Sequence, residues 1–302
     1  MENSTLEDSY GAFLPRYLVS DVLCATLAFA GLLIQSFIVT VNVIDWLKRK
    51  SITGADQIIT SIGISRIFYH TALLLALFSS FYVTKIPEVV FDLYNLIQNI
   101  SAFASIWLST LLSIFFCVKI LTFHNVFFLR LKAIILEKIT YLIIGSVLLS
   151  LGYSLVFFLA LPMLLFSNDF SDSELQIIQF VYMFWNFFPV LTFFIASLFV
   201  IISLGFHMCR MNRRGNVTSS TDTFLRIMKF TIVSFLACAT YITITMFQGH
   251  IFYLYIVTLN IFPALHSVLL IYVTTKLRNL FCRIVHSGTK QLFMYVTQGV
   301  AP

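Results

Sequence analysis

The sequence predicts an all-α membrane protein: a seven-transmembrane-helix bundle with a short amphipathic helix after the seventh span. Three observations predict it. First, 59% of the 302 residues are hydrophobic and 11% are charged, against about 45–50% and about 25% in an ordinary soluble domain. Second, the apolar residues gather into seven runs, near 18–44, 57–82, 93–120, 139–165, 176–206, 223–248 and 251–275. Each is long enough for the roughly 20 residues that cross a hydrocarbon core about 30 Å thick. Third, sixteen of the nineteen Lys and Arg residues fall on one side once these runs are threaded. Short basic loops stay cytoplasmic, so the amino end is expected outside and the tail inside. Opposite-side termini require an odd number of spans, and seven satisfies that. The expected division is an outer tail at 1–17, a seven-helix domain at 18–275 and a cytoplasmic tail at 276–302.

The outer tail is polar and acidic, and no cleavable signal is expected because the first apolar run is long enough to span. That run ends with Asn42, Asp45 and Trp46 ahead of Lys48, Arg49 and Lys50. An amide in hydrocarbon needs a partner, so Asn42 is expected to face other helices. Trp46 reads as an interfacial anchor.

The second run carries Arg66 near its middle. A central Arg costs about 2.5–3.5 kcal/mol on insertion scales. It is expected to turn inward toward Asn42, Ser65 or carbonyls of the seventh helix. Two roles stay open: a network that biases the bundle between two arrangements, or a purely structural one. The third run is the most polar, with Asn99, Ser101, Ser105, Trp107, Ser109, Thr110 and Ser113. Trp107 suits core filling or a ligand-facing wall. The loop after it, LTFHNVFFLRLKAIILEK, suits a short interfacial amphipathic helix where a cytoplasmic partner docks.

In the fifth run, WNFFPVLTFF, Pro189 removes a backbone N–H and is expected to kink the helix. That marks either a cavity wall with Trp185, Asn186 and Phe188, or a kink that only improves packing. Gly215 breaks the loop 207–224, and Ser219 to Thr223 are expected to cap the sixth helix. The sixth run contains Tyr241, and the seventh Asn260, Pro263, His266 and Ser267. The tail interleaves Leu277, Leu280, Phe281, Ile284 and Val285 with basic residues, a pattern for a helix on the inner leaflet.

Cys24, Cys117 and Cys238 lie in spans, and Cys209 and Cys282 in cytoplasmic segments. No outer-loop disulfide is therefore expected. Cys282 suits palmitoylation or a free thiol. The histidines show no metal-ligand spacing, so no metal or cofactor is expected. The net charge of +6 reads as affinity for an anionic leaflet, not for nucleic acid.

Three stretches resemble a known family, the bitter taste receptors (taste receptor type 2), which are G-protein-coupled receptors. Phe37 to Ile67 is similar to that family's first inner loop and second helix, with the Ser65–Arg66 pair. Trp107 to Lys132 is similar to its third helix; this chain has Val118-Lys119-Ile120 and Phe123-His124-Asn125 where the family has Leu-Lys-Ile and Asn-Phe-Ser. Phe262 to Arg278 resembles the closing motif with His266-Ser267. Thr274-Thr275-Lys276 departs from the family's Asn-x-Lys.

The resemblance implies a receptor for small, mainly apolar bitter molecules, coupled to a gustducin-like heterotrimeric G protein in the plasma membrane. It places Trp107 in the ligand pocket and Tyr241 at its floor. The full ligand-facing set takes in Leu108, Leu111, Trp185, Asn186, Phe188, Ile256 and Leu259. Asn42, Arg66, His266 and Ser267 are expected in an activation network. Lys119, Ile120, Arg130, Lys132, Arg210 and Lys276 are expected to face the G protein. Membrane lipid is a further expected partner, and the setting permits a homo- or hetero-oligomer. The outer sequon Asn3-Ser4-Thr5 makes Asn3 the expected glycosylation site.

The nearest alternative is a vomeronasal type 1 pheromone receptor, and the alternative of a different class is a transporter. No internal repeat supports a transporter. No clustered Ser/His/Asp, metal or paired-carboxylate constellation supports an enzyme.

Overall fold

The computed structural model describes residues 2–49, 53–82, 87–120, 126–165, 187–206, 219–246 and 252–298. Among these residues every regular element is a helix. They are α1 (Glu2–Arg49), α2 (Gly54–Tyr82), α3 (Glu88–Ile120), α4 (Val126–Glu137) and α5 (Ile139–Leu165). α6 (Phe187–Phe206) follows, then α7 (Ser219–Met246), α8 (Phe252–Val273) and α9 (Thr275–Gln298).

Five helices are long and apolar enough to cross a membrane among the described residues: Asp21–Lys48, Gly54–Ser79, Val89–Ile120, Ile139–Val156 and Phe187–Phe206. The described part of α8, Ile261–Val273, is a shorter apolar helix. α4 and α9 occupy the two stretches read as amphipathic. Two boundaries differ from the sequence reading. α1 is continuous from Glu2 rather than beginning at 18. Ser219 to Thr223 form the opening of α7 rather than a cap ahead of it.

Local chemistry sets the ends. At α2, the Asp56 N–H donates to Thr53 Oγ1 at 3.2 Å, and the Thr53 hydroxyl donates to Asp56 Oδ2 at 2.6 Å. That is a cap with an acid in the first turn, where the helix dipole favours it. Between α8 and α9 the break is confined to Thr274. Its N–H still reaches Leu270 O at 3.0 Å, and Arg278 N–H reaches Thr274 O at 2.9 Å.

The main core joins Ile38 and Val41 of α1, Ile58 and Ile62 of α2, and Leu108, Leu111, Leu112 and Phe115 of α3. Phe230, Leu270 and Leu277 close it from α7, α8 and α9. Two satellite clusters continue it between α3, α6 and α7. The burial pattern is inverted relative to a protein in water. Gln35, Asn42, Arg66, His70 and His266 are buried, while Phe29, Leu33, Phe68, Phe78, Leu148 and Phe199 are exposed. Such an apolar exterior is unsustainable in water but suits lipid tails.

Two glycines on the α1–α2 seam permit close approach. A Cβ at Gly31 would stand 2.5 Å from His70 Nε2, and one at Gly63 would stand 2.6 Å from Val39 Cγ2.

Candidate functional site

Arg66 sits about 18 Å along α2 from its first residue, taking about 1.5 Å per residue, and is 1% exposed. Its guanidinium donates in three directions. Nε reaches Ser105 Oγ at 2.9 Å; Nη1 reaches Ser267 Oγ at 2.6 Å and Pro263 O at 3.1 Å; Nη2 reaches Ser109 Oγ at 3.5 Å. Ser267 passes its own hydrogen to Pro263 O at 2.7 Å and also accepts from Gln35 Nε2. Its two acceptor sites and one donor are thereby used. The guanidinium of α2 thus bonds α3 and α8 directly, and α1 joins the centre through Gln35 on Ser267.

The α3 side is supplied by a stripe. Ser101, Ser105, Ser109 and Ser113 recur every four residues and are all buried, so they share one helix face. Ser65 Oγ donates to Ser101 O at 2.7 Å, and Ser109 Oγ to Ser105 O at 2.7 Å. Small side chains let α2 and α3 approach closely, as in membrane bundles generally. Among the described residues no carboxylate pairs with Arg66. The charge is held by neutral oxygens alone, which leaves it costly to bury and sensitive to any loss of acceptors.

Of the residues grouped by the sequence reading, Arg66 and Ser267 come together. His266 adjoins them one residue away, packed on Phe230 (centroids 5.5 Å) and Phe262 (6.1 Å), with no partner for Nδ1 among the described residues. Asn42 does not reach Arg66. It donates to Thr60 Oγ1 at 3.1 Å and accepts from Lys276 Nζ at 3.0 Å, at the basic end of the bundle. Asn42 lies on α1 between Val41 and Asp45, so helix geometry carries it toward the α8–α9 junction. Gln35, two turns earlier on the same helix, takes the place at Arg66.

An aromatic face lies on α3 and α6. Trp107 packs against Phe188 with ring centroids 6.0 Å apart, and its buried indole Nε1 has no partner among the described residues. Thr110 shares its hydroxyl between Ile106 O at 3.0 Å and Pro189 O at 2.9 Å. The proline segment of α6 is thus tied to α3 three residues from Trp107. Beneath it Val190, Phe193 and Cys238 form a closed apolar cluster with Ile106 and Phe262. Leu108 and Leu111, expected to face ligand, are 0% and 7% exposed and belong to the main core. Leu108 follows Trp107 by one residue and is rotated about 100° from it, whereas Leu111, one turn further along on nearly the same side, is also packed into that core. Trp185 and Asn186 lie outside the described residues, as do the side chains of Tyr241, Ile256, Leu259 and Asn3.

At the basic end, Lys119 is exposed, with Nζ 5.9 Å from the Phe115 ring centroid. Arg130 is exposed on α4, and Lys132 is half-buried beside it. Ile120 packs against the Cys117–Val200–Leu204 cluster rather than standing free. Lys276 pairs with Asp45 at 2.8 Å. Arg210 lies outside the described residues. No three His, Cys, Asp or Glu gather among the described residues in a way that would hold a metal ion.

Sequence reasoning missed Gln35, Asp45 and His70. Gln35 and His70 were legible as polar residues in apolar runs. Asp45 gave only an interfacial signal, because its cation lies more than two hundred residues away in the chain.

A family model described as taste receptor protein (TAS2R) matches residues 17–289. The human protein named taste receptor type 2 member 50 is 28% identical, with 89% of this chain and 97% of that protein aligned. Its gorilla counterpart is 29% identical over 74% of this chain and 79% of its own length. The orangutan (Pongo pygmaeus) taste receptor type 2 member 31 is 27% identical over 90% of this chain and 94% of its own.

Proposed function

This chain belongs to the taste receptor protein (TAS2R) family, and from that premise we propose that it binds small, mainly apolar bitter molecules from outside the cell and activates a gustducin-like heterotrimeric G protein. The family makes it a multi-pass membrane protein and a G-protein-coupled bitter taste receptor with seven transmembrane helices. The vomeronasal and transporter alternatives give way to that assignment.

One observation supports the ligand reading above the others. The Trp107 indole N–H is buried beside Phe188 and has no acceptor among the described residues. A buried indole normally finds one. Apolar pockets orient their ligands with a few such polar groups. In this reading the ligand lies against Trp107 and Phe188 and accepts from Nε1.

Binding must favour the active arrangement over the resting one, since equal affinity for both shifts nothing. A tenfold bias takes about 1.4 kcal/mol of differential affinity. The Thr110–Pro189 link gives the ligand a mechanical route into α6, which packs on α7. The basic end of α7 then swings and opens a face bordered by α4 and Lys119. The amino end is outside in this reading, and Arg130 and Lys132 present charge to the G protein.

The test is calcium release in cells carrying the receptor and a promiscuous G protein, assayed against a panel of bitter compounds. At least one compound is expected to evoke release. Trp107→Phe, which keeps the ring and removes the N–H, should lower its potency about fivefold for a lost bond of about 1 kcal/mol. Silence across the panel with the receptor at the cell surface would overturn the ligand class.

A further inference from the structure

Lys276 opens α9, where a cation facing the G protein was expected. Its ammonium is instead engaged within the chain. Nζ lies 2.8 Å from Asp45 Oδ2 and donates to Asn42 Oδ1 at 3.0 Å. Asn42 Nδ2 donates to Thr60 Oγ1 at 3.1 Å, and the Thr60 hydroxyl donates to Asp56 O at 2.6 Å. One ammonium therefore ties α9 to α1 and, through Asn42, to the first turns of α2. Asn42 is 2% exposed, while the Lys276 and Asp45 side chains each keep 32% of their surface. A half-buried pair against a buried amide is screened less than one in open water. Apolar contacts flank the pair. Phe281 meets Phe37 edge-on at 5.9 Å, and Leu277 is fully buried in the main core with Leu280 packed against it.

We propose that Asp45, Asn42 and Lys276 form a clasp that fixes the pose of α9 against α1, and that Lys276 positions the G-protein-facing surface rather than contacting the partner. The proposal rests on the coupling reading above. An ammonium carries three N–H groups and no planar fork, so two acceptors on one helix turn are enough to hold it. Asn42 and Asp45 are three residues apart on α1 and so stand side by side. Lys276 thus turns its charge into α1, while Arg283, two turns further along α9, is exposed.

The test uses the full-length receptor in lipid nanodiscs, with Cys209→Ser to limit labelling. Spin labels go on the exposed native Cys282 and on Lys48→Cys at the basic end of α1. The parent protein is expected to give one narrow distance distribution. Asp45→Lys and Lys276→Asp alone should each broaden it about twofold as α9 detaches locally, and the exchange D45K/K276D should restore it. If the reversed variants do not fold, Asp45→Asn is measured instead, and broadening there supports the clasp. An unchanged distribution in Asp45→Asn or in Lys276→Met overturns it, and so does an exchange that stays broad. Basal signalling of the same variants should fall and recover with the distances. Lys276→Met with parental distances and lost signalling would make Lys276 a direct contact and overturn the positioning role. The distances are read without G protein, so a failure of coupling itself leaves them unchanged.

Discussion

A guanidinium buried among helices needs an acceptor wherever its N–H groups point. Arg66 finds three serine hydroxyls and one carbonyl. A hydrogen bond to a charged group contributes about 1.5–3 kcal/mol, so Arg66→Ala is expected to cost more than Ser105→Ala or Ser267→Ala. Arg66→Lys should not rescue it, because one ammonium cannot reach Ser105 and Ser267 in the same fork-like geometry. Thermal melting of purified receptor in detergent checks this; an Arg66→Lys protein that melts with the parent would refute it. Gly31 offers a second residue-level prediction. An added methyl meets the buried His70 ring, an overpacking worth about 1–3 kcal/mol. Gly31→Ala should lower the melting temperature, and His70→Ala in the same chain should recover part of the loss. Additive losses in the double variant would mean that the two residues do not clash.

Among the elements, α1, α2, α3 and α8 are joined by hydrogen bonds at the Arg66 centre, and α1, α2 and α9 at the Lys276 clasp. The contacts between α6 and α7 are apolar: Phe194 stacks on Phe235 at 3.8 Å, and two closed clusters lie above and below. Apolar faces slide at lower cost than directional bonds break, so in the proposed activation step α7 is the element expected to move while α1, α2, α3 and α8 hold. Ser234 on α7 and Ser197 on α6 are buried with hydroxyls that have no partner among the described residues, a cost that a rearrangement of α7 would relieve. Thr110→Val removes the bond to Pro189 O and keeps the shape. It should uncouple α6 from α3 and shift agonist potency several-fold, with surface expression unchanged. Identical dose–response curves would argue against transmission through that bond.

At the scale of the whole molecule, the asymmetry of basic residues predicts the orientation proposed above. An epitope placed before Tyr10 should be reached by antibody on intact cells; staining only after permeabilisation would reverse the topology and remove the receptor reading. Glycosidase treatment should increase the mobility of the receptor on a gel, and Asn3→Gln should abolish that shift. If the shift survives Asn3→Gln, the sugar is carried elsewhere.

The sequence by itself determined the class of the molecule, because insertion into lipid depends on quantities additive along the chain: length of apolar run, number of charges, side of each basic loop. It also singled out Arg66, since a lone cation in hydrocarbon is conspicuous without any partner in view. Of what holds that cation it anticipated a carbonyl of the seventh span, which Pro263 O supplies, but not the serine hydroxyls. The serine stripe at 101, 105, 109 and 113 was visible as polarity, but its period of four acquires meaning only when α2 lies across it. Asn42 was one of three partners expected for Arg66, yet the tertiary structure gives it to Lys276 and brings Gln35 to the centre through Ser267. Leu108 and Leu111 were placed beside ligand and are in the core. Each of these turned on which face of a helix meets which neighbour, and a rotation of about 100° per residue decides that only after the helices pack.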